Sequence, residues 1–441
     1  MELDVFINTL NVGRLFHDSQ SNRYEFIYSQ EWLDREDRFP LSAHIPLGSK
    51  TARDTEISSL GVRQFFENLL PEGAALDAAA AAAKTSKSSI VGLLAALGRE
   101  TAGAIRILPI GFREADNRSN RRLLTREELS TRIKARPYDP FSLWDGKPRL
   151  SIAGFQDKVA VFSDGDQWFL VDGEDLASTH ILKPEPVNTV LQGLTSSEFF
   201  SMRLAAAVGI QTAGVELLHV PERVLSVTRF DRKAMPGRVQ RIHVVDGAQA
   251  LGVSVGAKYE RPYGSGRDVK DIRDGASLPR FFDLLQESAK PLFERRALLR
   301  WTIFQVLIDN ADAHAKNLSF FSGAEGLSLA PAYDLVSMHA FTSHDLDRTY
   351  AMAIGDAFSA AELSSREWAS FADRCRLPKA LVARELTAMA DRVRTSIEAL
   401  RVTSVAEGSE ASVIDRLIAG IVRECDRQKI LAPEIVGISP V

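Results

Sequence analysis

The sequence predicts an α+β protein in which a strand-rich block is followed by a helical one, with a smaller α+β subdomain ahead of both. Two observations carry this. From Pro148 to Thr228 short apolar runs alternate in strand fashion, whereas beyond about Leu278 apolar residues recur at helical spacing. Upstream, residues 1 to about 110 mix the two periods.

Taken in order, Leu3 to Asn8 alternates, Asn11-Val12-Gly13 offers a turn, and Arg14 to Phe16 can return as the hairpin partner. Tyr24 to Tyr28 alternates again. Val62, Phe65, Phe66, Leu69 and Leu70 then repeat at helical spacing until Pro71 stops them. Ala74 to Ala83 is an alanine tract, helical because alanine costs least in a helix, but able to supply little core. Ile90 to Leu97 makes a helix that Gly98 can cap, and Ala104 to Leu108 a closing strand. The arginine-rich stretch 113–136 reads as linker plus solvated helix rather than a nucleic-acid contact. Strands follow at Leu150–Ala153, Val159–Phe162, Gln167–Val171, His180–Leu182, Val215–Val220 and Val224–Thr228, interrupted by one helix from about Ser196 to Val208. The implied divisions are 1–110, a linker at 111–147, a strand-rich 148–245 and a mainly helical 246–441.

Bulk properties narrow the function. The 441 residues are 45% hydrophobic and 25% charged, which allows a large core. A net charge of −4 disfavours autonomous DNA binding, because phosphate neutralisation supplies most of that affinity. Cys375 and Cys425 form no disulfide framework or zinc motif. The N-terminus lacks the basic start of a signal peptide, and no apolar run approaches the roughly 20 residues that span a bilayer. The expectation is a cytoplasmic protein with no membrane partner.

The chemistry concentrates in Asn310-Ala311-Asp312-Ala313-His314-Ala315-Lys316-Asn317, between an apolar helix (Leu298 to Ile308) and a strand (Leu318 to Phe321). Asp312 and Asn317 have the D-x-x-x-x-N spacing of a kinase catalytic loop, and Asp334 lies just past a second strand, Leu327 to Ala330. Transfer of a γ-phosphoryl group needs an acceptor-only group beside the incoming hydroxyl, which Asp312 supplies. It needs hard oxygens for Mg2+, which Asn317 and Asp334 supply, and positive charge near the moving phosphoryl, for which Lys316 is placed. Such polar loops also arise where side chains merely satisfy turn donors, and His314 reads as one of these. On the strand-rich side, Lys183 ends His180-Ile181-Leu182-Lys183. In isolation it reads as a snorkelling edge lysine, and in this order as the phosphate-pairing lysine of a kinase. Glu198, fifteen residues on, either orients that lysine or answers a helix dipole from the first turn. Gly154, Gln156 and Lys158, in Ile152-Ala153-Gly154-Phe155-Gln156-Asp157-Lys158, sit where a phosphate-covering loop belongs, or form a plain hairpin turn.

Together these motifs resemble the HipA-type serine/threonine-protein kinase toxins of bacterial type II toxin–antitoxin systems. The resemblance runs through Phe65-Phe66-Glu67-Asn68-Leu69-Leu70-Pro71, Gly98 to Ala104, Arg149 to Lys158, His180 to Pro184, Arg229-Phe230-Asp231-Arg232, Lys258-Tyr259-Glu260, Asp312 to Asn317 and Tyr333-Asp334-Leu335. It implies a bilobal protein-kinase-like fold, ATP and Mg2+ as cofactors, and autophosphorylation at Ser151 that switches the enzyme off. It also implies a hinge at Thr228, Arg229 and Phe230 whose backbone reads adenine. The substrate it implies is an aminoacyl-tRNA synthetase, typically the glutamyl enzyme, with growth arrest as the outcome. The partner it implies is a helix-turn-helix antitoxin (HipB-like) that brings operator DNA. Phe155, where the family usually has a small residue, and the alanine tract depart from the pattern. Two other readings use the same residues: a small-molecule kinase of related fold, and a catalytically silent antitoxin-binding corepressor.

Overall fold

The structure is a computed structural model that describes residues 1–48, 55–112, 119–136, 138–149, 156–343 and 346–439. The chain divides into two compact units. One comprises Met1–Val187, Leu218–Val255 and Phe320–Gly326; the other comprises Asn188–Leu217, Gly256–Ser319 and Leu327–Val441.

In the first unit, an antiparallel sheet runs Arg23–Tyr28, Leu10–Asp18, Glu2–Ile7, Ile105–Pro109. Alternation puts Leu3, Val5 and Ile7 inward, all buried. The expected hairpin is present, but its turn is Asn8-Thr9, with Asn8 left-handed at φ 53, not Asn11 to Gly13. Gly13 lies inside the second strand, where a Cβ would meet the Ile27 carbonyl at 2.3 Å; it serves close backbone approach rather than a turn. Helices Thr55–Glu67, Gly73–Ala82 and Ile90–Leu97 follow. Phe65, Phe66, Leu93, Leu94 and Leu97 are buried, while the alanine helix contributes only Ala79 and Ala80.

A second antiparallel sheet includes, in order, Arg223–Thr228, His180–Pro184, Val159–Asp164, Gln167–Asp172 and Asn120–Leu124. The segment read as a linker therefore builds structure. Asn120–Leu124 joins the sheet, and the helix Arg126–Ala135, capped by Thr125, buries Leu129 and Ile133 with Phe141, Trp144, Val159, Val161, Leu182 and Val224. The helix expected there is thus packed rather than solvated; its two buried apolar residues, Leu129 and Ile133, are too few to mark a core face in so polar a segment. Among its described arginines, Arg121 pairs with Asp164, Arg122 with Glu128 and Asp145, and Arg132 with Asp139.

An ion cluster joins residues 100–106 to the hairpin Arg232–Met235/Arg238–Arg241. Arg229 and Arg232 both reach Asp231 and Glu100, Arg241 reaches Glu100 at 3.0 Å, and the Gly103 amide donates to Asp231 at 2.7 Å. Burial pushes the Glu100 carboxyl up, but the guanidinium groups of Arg241, Arg232 and Arg229 overcome it and hold the group down at about 2.

The second unit is mainly helical: Leu194–Ala207, Leu278–Leu284, Pro291–Leu307, Ser365–Arg374, Lys379–Ala406 and Ala411–Ile435. The helix carrying Glu198, placed with the strand-rich block from sequence, belongs here. Val382, Leu386, Met389 and Val393 are buried on one long helix, and Ile414, Leu417, Ile421 and Cys425 on the next. Pro291 opens its helix where a missing N–H costs nothing, and that helix buries Trp301, Ile303, Phe304 and Leu307. Among the described residues no helix is long and apolar enough to cross a membrane.

Candidate active site

The helix Pro291–Leu307 ends at Ile308, and Asp309 then turns left-handed at φ 52, a conformation Asp tolerates better than most residues. The reversal starts a compact loop. Asn310 accepts from the Asp312 amide at 3.1 Å, and the Asp312 carbonyl accepts from the His314 amide at 2.8 Å and from the Asn317 side-chain amide at 2.8 Å. The loop is also pinned from outside: the Ala315 amide donates to the Lys258 carbonyl at 3.0 Å. His314, Lys316 and Asn317 are buried, whereas the Asp312 side chain is 60% exposed. One carboxylate is thus presented outward by an otherwise enclosed loop. The Tyr259 hydroxyl donates to Asp312 Oδ1 at 2.7 Å, and the Tyr259 ring packs edge-on against the buried His314 ring.

Asn317 spends its N–H on the Asp312 carbonyl, which leaves its amide oxygen as the group available to a cation. Asp334 comes to the same loop through its neighbour. The Tyr333 hydroxyl donates to the Lys316 carbonyl at 2.7 Å and also meets the Ser319 hydroxyl at 2.7 Å. One hydrogen bond therefore ties the residue before Asn317 to the residue before Asp334. Asp334 is itself left-handed at φ 57. One amide oxygen and one carboxylate are too few for a metal site standing alone. They suit Mg2+, which keeps several waters and takes most of its remaining ligands from phosphate. Among the described residues no cluster of three or more His, Cys, Asp or Glu side chains could hold a metal instead.

In the first unit, Lys183 is buried on an interior strand, between Arg223–Thr228 and Val159–Asp164, so the edge-lysine reading fails. Alternation decides its face. Leu182, Val159, Val161 and Val224 point into the core under the helix Arg126–Ala135. Lys183, Ile181, Ala160, Leu225 and Val227 point the other way. Leu182 pairs with Val159, and Lys158 directly precedes that strand. The Gln156 side chain donates to the Pro184 carbonyl at 3.4 Å. Lys183 thus lies on a sheet face that also bears Ala160, Ile181, Leu225, Val227, Phe162 and Phe169. Ser151 and Gly154, with the strand expected at Leu150–Ala153, lie outside the described residues.

At the expected hinge, Thr228 closes its strand, exposed, and Phe230 packs edge-on against Phe321. Arg229 behaves differently: its amide donates to the Thr179 carbonyl at 2.9 Å and its side chain joins the ion cluster. Its own N–H is committed to the sheet and cannot serve a base. Glu198 is fully buried in the second turn of a helix whose N-cap is Gly193, so the first-turn dipole reading does not apply. The residues missed from sequence are the two tyrosines, Tyr259 and Tyr333. Each stood inside a quoted motif, but no spacing rule gives a tyrosine hydroxyl its partner.

The strand-rich first unit, the helical second unit and the Asp312 loop define an α+β protein of the kinase-like class. The HipA N-terminal domain family matches residues 3–108, and the HipA-like C-terminal domain family matches residues 150–399. A protein of Shewanella oneidensis named serine/threonine-protein kinase toxin HipA is 37% identical over 431 residues, which are 97% of this chain and 96% of the relative. A putative kinase of Sinorhizobium fredii is 36% identical over 405 residues, 89% of this chain and 91% of its own length. The solved Shewanella oneidensis complex of HipA, HipB and operator DNA contains a chain that superposes with a TM-score of 0.87 at 36% identity, covering 99% of this chain and all of that one. The chain belongs to the HipA family of kinases.

Proposed function

We propose that this chain is the toxin component of a toxin–antitoxin module, a serine/threonine protein kinase that moves the γ-phosphoryl group of ATP to a protein hydroxyl. The observation that supports it most is the outward carboxylate of Asp312 on a loop whose other polar residues are buried. In this reading Asp312 orients the acceptor hydroxyl and takes its proton as the new P–O bond forms. The bond to the β-phosphate oxygen breaks, and ADP departs with that electron pair. Lys316 lends positive charge, Asn317 and Asp334 would hold Mg2+, and Mg2+ when bound neutralises phosphate charge. We assign Lys183 to pairing with phosphate, Gly154, Gln156 and Lys158 to the phosphate-covering loop, and Glu198 to orienting the lysine. We assign adenine recognition to the strand end at Thr228, Arg229 and Phe230, through backbone groups other than the Arg229 N–H.

The finer reading follows the relatives. The Shewanella complex joins HipA to HipB and operator DNA. We take the partner here to be a helix-turn-helix antitoxin that brings the DNA, which suits a chain of net charge −4. The acceptor is an aminoacyl-tRNA synthetase, the glutamyl enzyme first among them, in the cytoplasm, and growth arrest is the outcome. Residues 1–110 serve as N-terminal subdomain, the strand-rich remainder of the first unit as nucleotide lobe and the helical second unit as catalytic lobe. Autophosphorylation at Ser151 adds a dianion beside the phosphate site and switches the kinase off. Incubation with labelled ATP and magnesium, followed by peptide mapping, tests this. Label on Ser151, lost in Asp334→Asn, is expected; incorporation unchanged in that variant removes Asp334 from the metal site.

A further inference from the structure

Beside the catalytic loop, within the second unit, lies a cavity of about 260 Å³ lined by Tyr259, Arg261, Ser265, Thr349, Tyr350 and Phe358, among others. Its walls are fixed. The Glu260 amide donates to the Ala351 carbonyl at 2.9 Å, and the Glu260 carboxylate accepts from the Ala353 amide at 2.8 Å. Tyr350 bonds the Phe358 carbonyl through its amide at 2.6 Å. The floor, made by Tyr350, Ala351 and Phe358, is buried and apolar. Tyr259 belongs both to this wall and to the catalytic loop, because its hydroxyl holds Asp312.

The cation in this wall is Arg261. Its guanidinium lies over the Phe358 ring, 3.5 Å from the centroid, and its Nε is buried without a hydrogen-bond partner. Arg273, the neighbouring arginine over the same ring, is instead paired with Glu260 and Asp356. Asp347, at the rim, already accepts from the Thr349 amide at 2.8 Å. A guanidinium held flat on an aromatic face at the cavity wall, with no ion-pair partner among the described residues, can receive a carboxylate through its terminal nitrogens.

We propose that this cavity is an acceptor subsite: it takes an acidic side chain that the protein substrate carries close to the phosphorylated serine or threonine. This rests on Asp312 being the group that meets the acceptor hydroxyl. A hydroxyl at Asp312 puts flanking residues at the Tyr259 wall, since an extended chain advances about 3.3–3.6 Å per residue. A neighbour within about three residues reaches Arg261. Its stem lies on the apolar floor and its carboxylate meets the guanidinium.

The test uses the full chain, magnesium and ATP with a set of single-serine peptides. Each carries glutamate, lysine or alanine at one position within about four residues of the serine. The wild-type chain is expected to prefer glutamate to lysine at one position by on the order of tenfold. Arg261→Glu is expected to reverse that preference at the same position, and Arg261→Gln to flatten it. Each readout is a ratio within one protein, so partial loss of folded variant cancels. A preference for glutamate that survives in Arg261→Glu overturns the subsite, as does a wild-type chain that releases ADP and labels itself while showing no preference. A wild-type chain that turns over no ATP overturns the kinase reading and the subsite with it.

Discussion

Asp309 shows how much one position can be asked to hold. It reverses the chain into the catalytic loop in a left-handed conformation, and its carboxylate lies 3.4 Å from Arg348 and 3.9 Å from His339. Burial pushes the carboxyl up to about 6, against the pull of Arg348. Burial likewise holds His339 down at about 4, neutral at ordinary pH. The sign follows: with the folded value above the unfolded one, any stabilisation from protonated Asp309 is full below about 4 and is lost as pH rises through 6. Asp309→Asn keeps the left-handed backbone and removes that loss. Its stability relative to wild type should therefore climb between pH 4 and 7, by up to about 3 kcal/mol, in urea unfolding at each pH. A difference that stays flat over that range removes the assigned cause. None of this was visible in sequence, where Asp309 stood only as the residue before a motif. Asp312 and Asn317 were visible because their spacing is a rule of local geometry.

At the scale of elements, legibility tracked periodicity. The strand of Lys183 and the helix before the catalytic loop are legible as apolar runs, because most of their residues are buried on every side. The strand Asn120–Leu124 and the packed face of the helix Arg126–Ala135 are not legible, because arginines hide their few buried positions. Which face of a sheet is covered is also not local. The face that bears Lys183 follows only once the helix Arg126–Ala135 is seen on the other side. That placement carries a prediction. Lys183→Met keeps the stem's packing and removes the charge, so the chain should fold while its affinity for ATP drops on the order of tenfold or more by calorimetry. Undiminished affinity would place the phosphates elsewhere.

For the whole molecule, the ion cluster explains why Gly98 to Ala104 and Arg229 to Arg232 appear as separate motifs. They are two sides of one buried contact, joined by Glu100, Asp231 and three arginines. Glu100→Gln leaves those arginines short of one countercharge and should cost about 2–4 kcal/mol in chemical denaturation. With its folded value depressed to about 2, Glu100 stabilises fully above about 4.5, and the contribution fades as pH falls toward 2. The cost of Glu100→Gln should therefore shrink in acid; an equal cost at pH 7 and pH 3 would mean that packing, not charge, holds the contact. Sequence could name both motifs but not their contact, since nothing local relates positions more than a hundred residues apart.

The most direct measurement is phosphoryl transfer by wild type and Asp312→Asn, with labelled ATP and magnesium, beside a thermal melt of each. The side chain is exposed, so the melts should coincide, while transfer should fall by about 10²–10⁴-fold because the amide cannot take the acceptor's proton. Equal transfer by two equally folded proteins would contradict the assignment of Asp312 and the mechanism built on it.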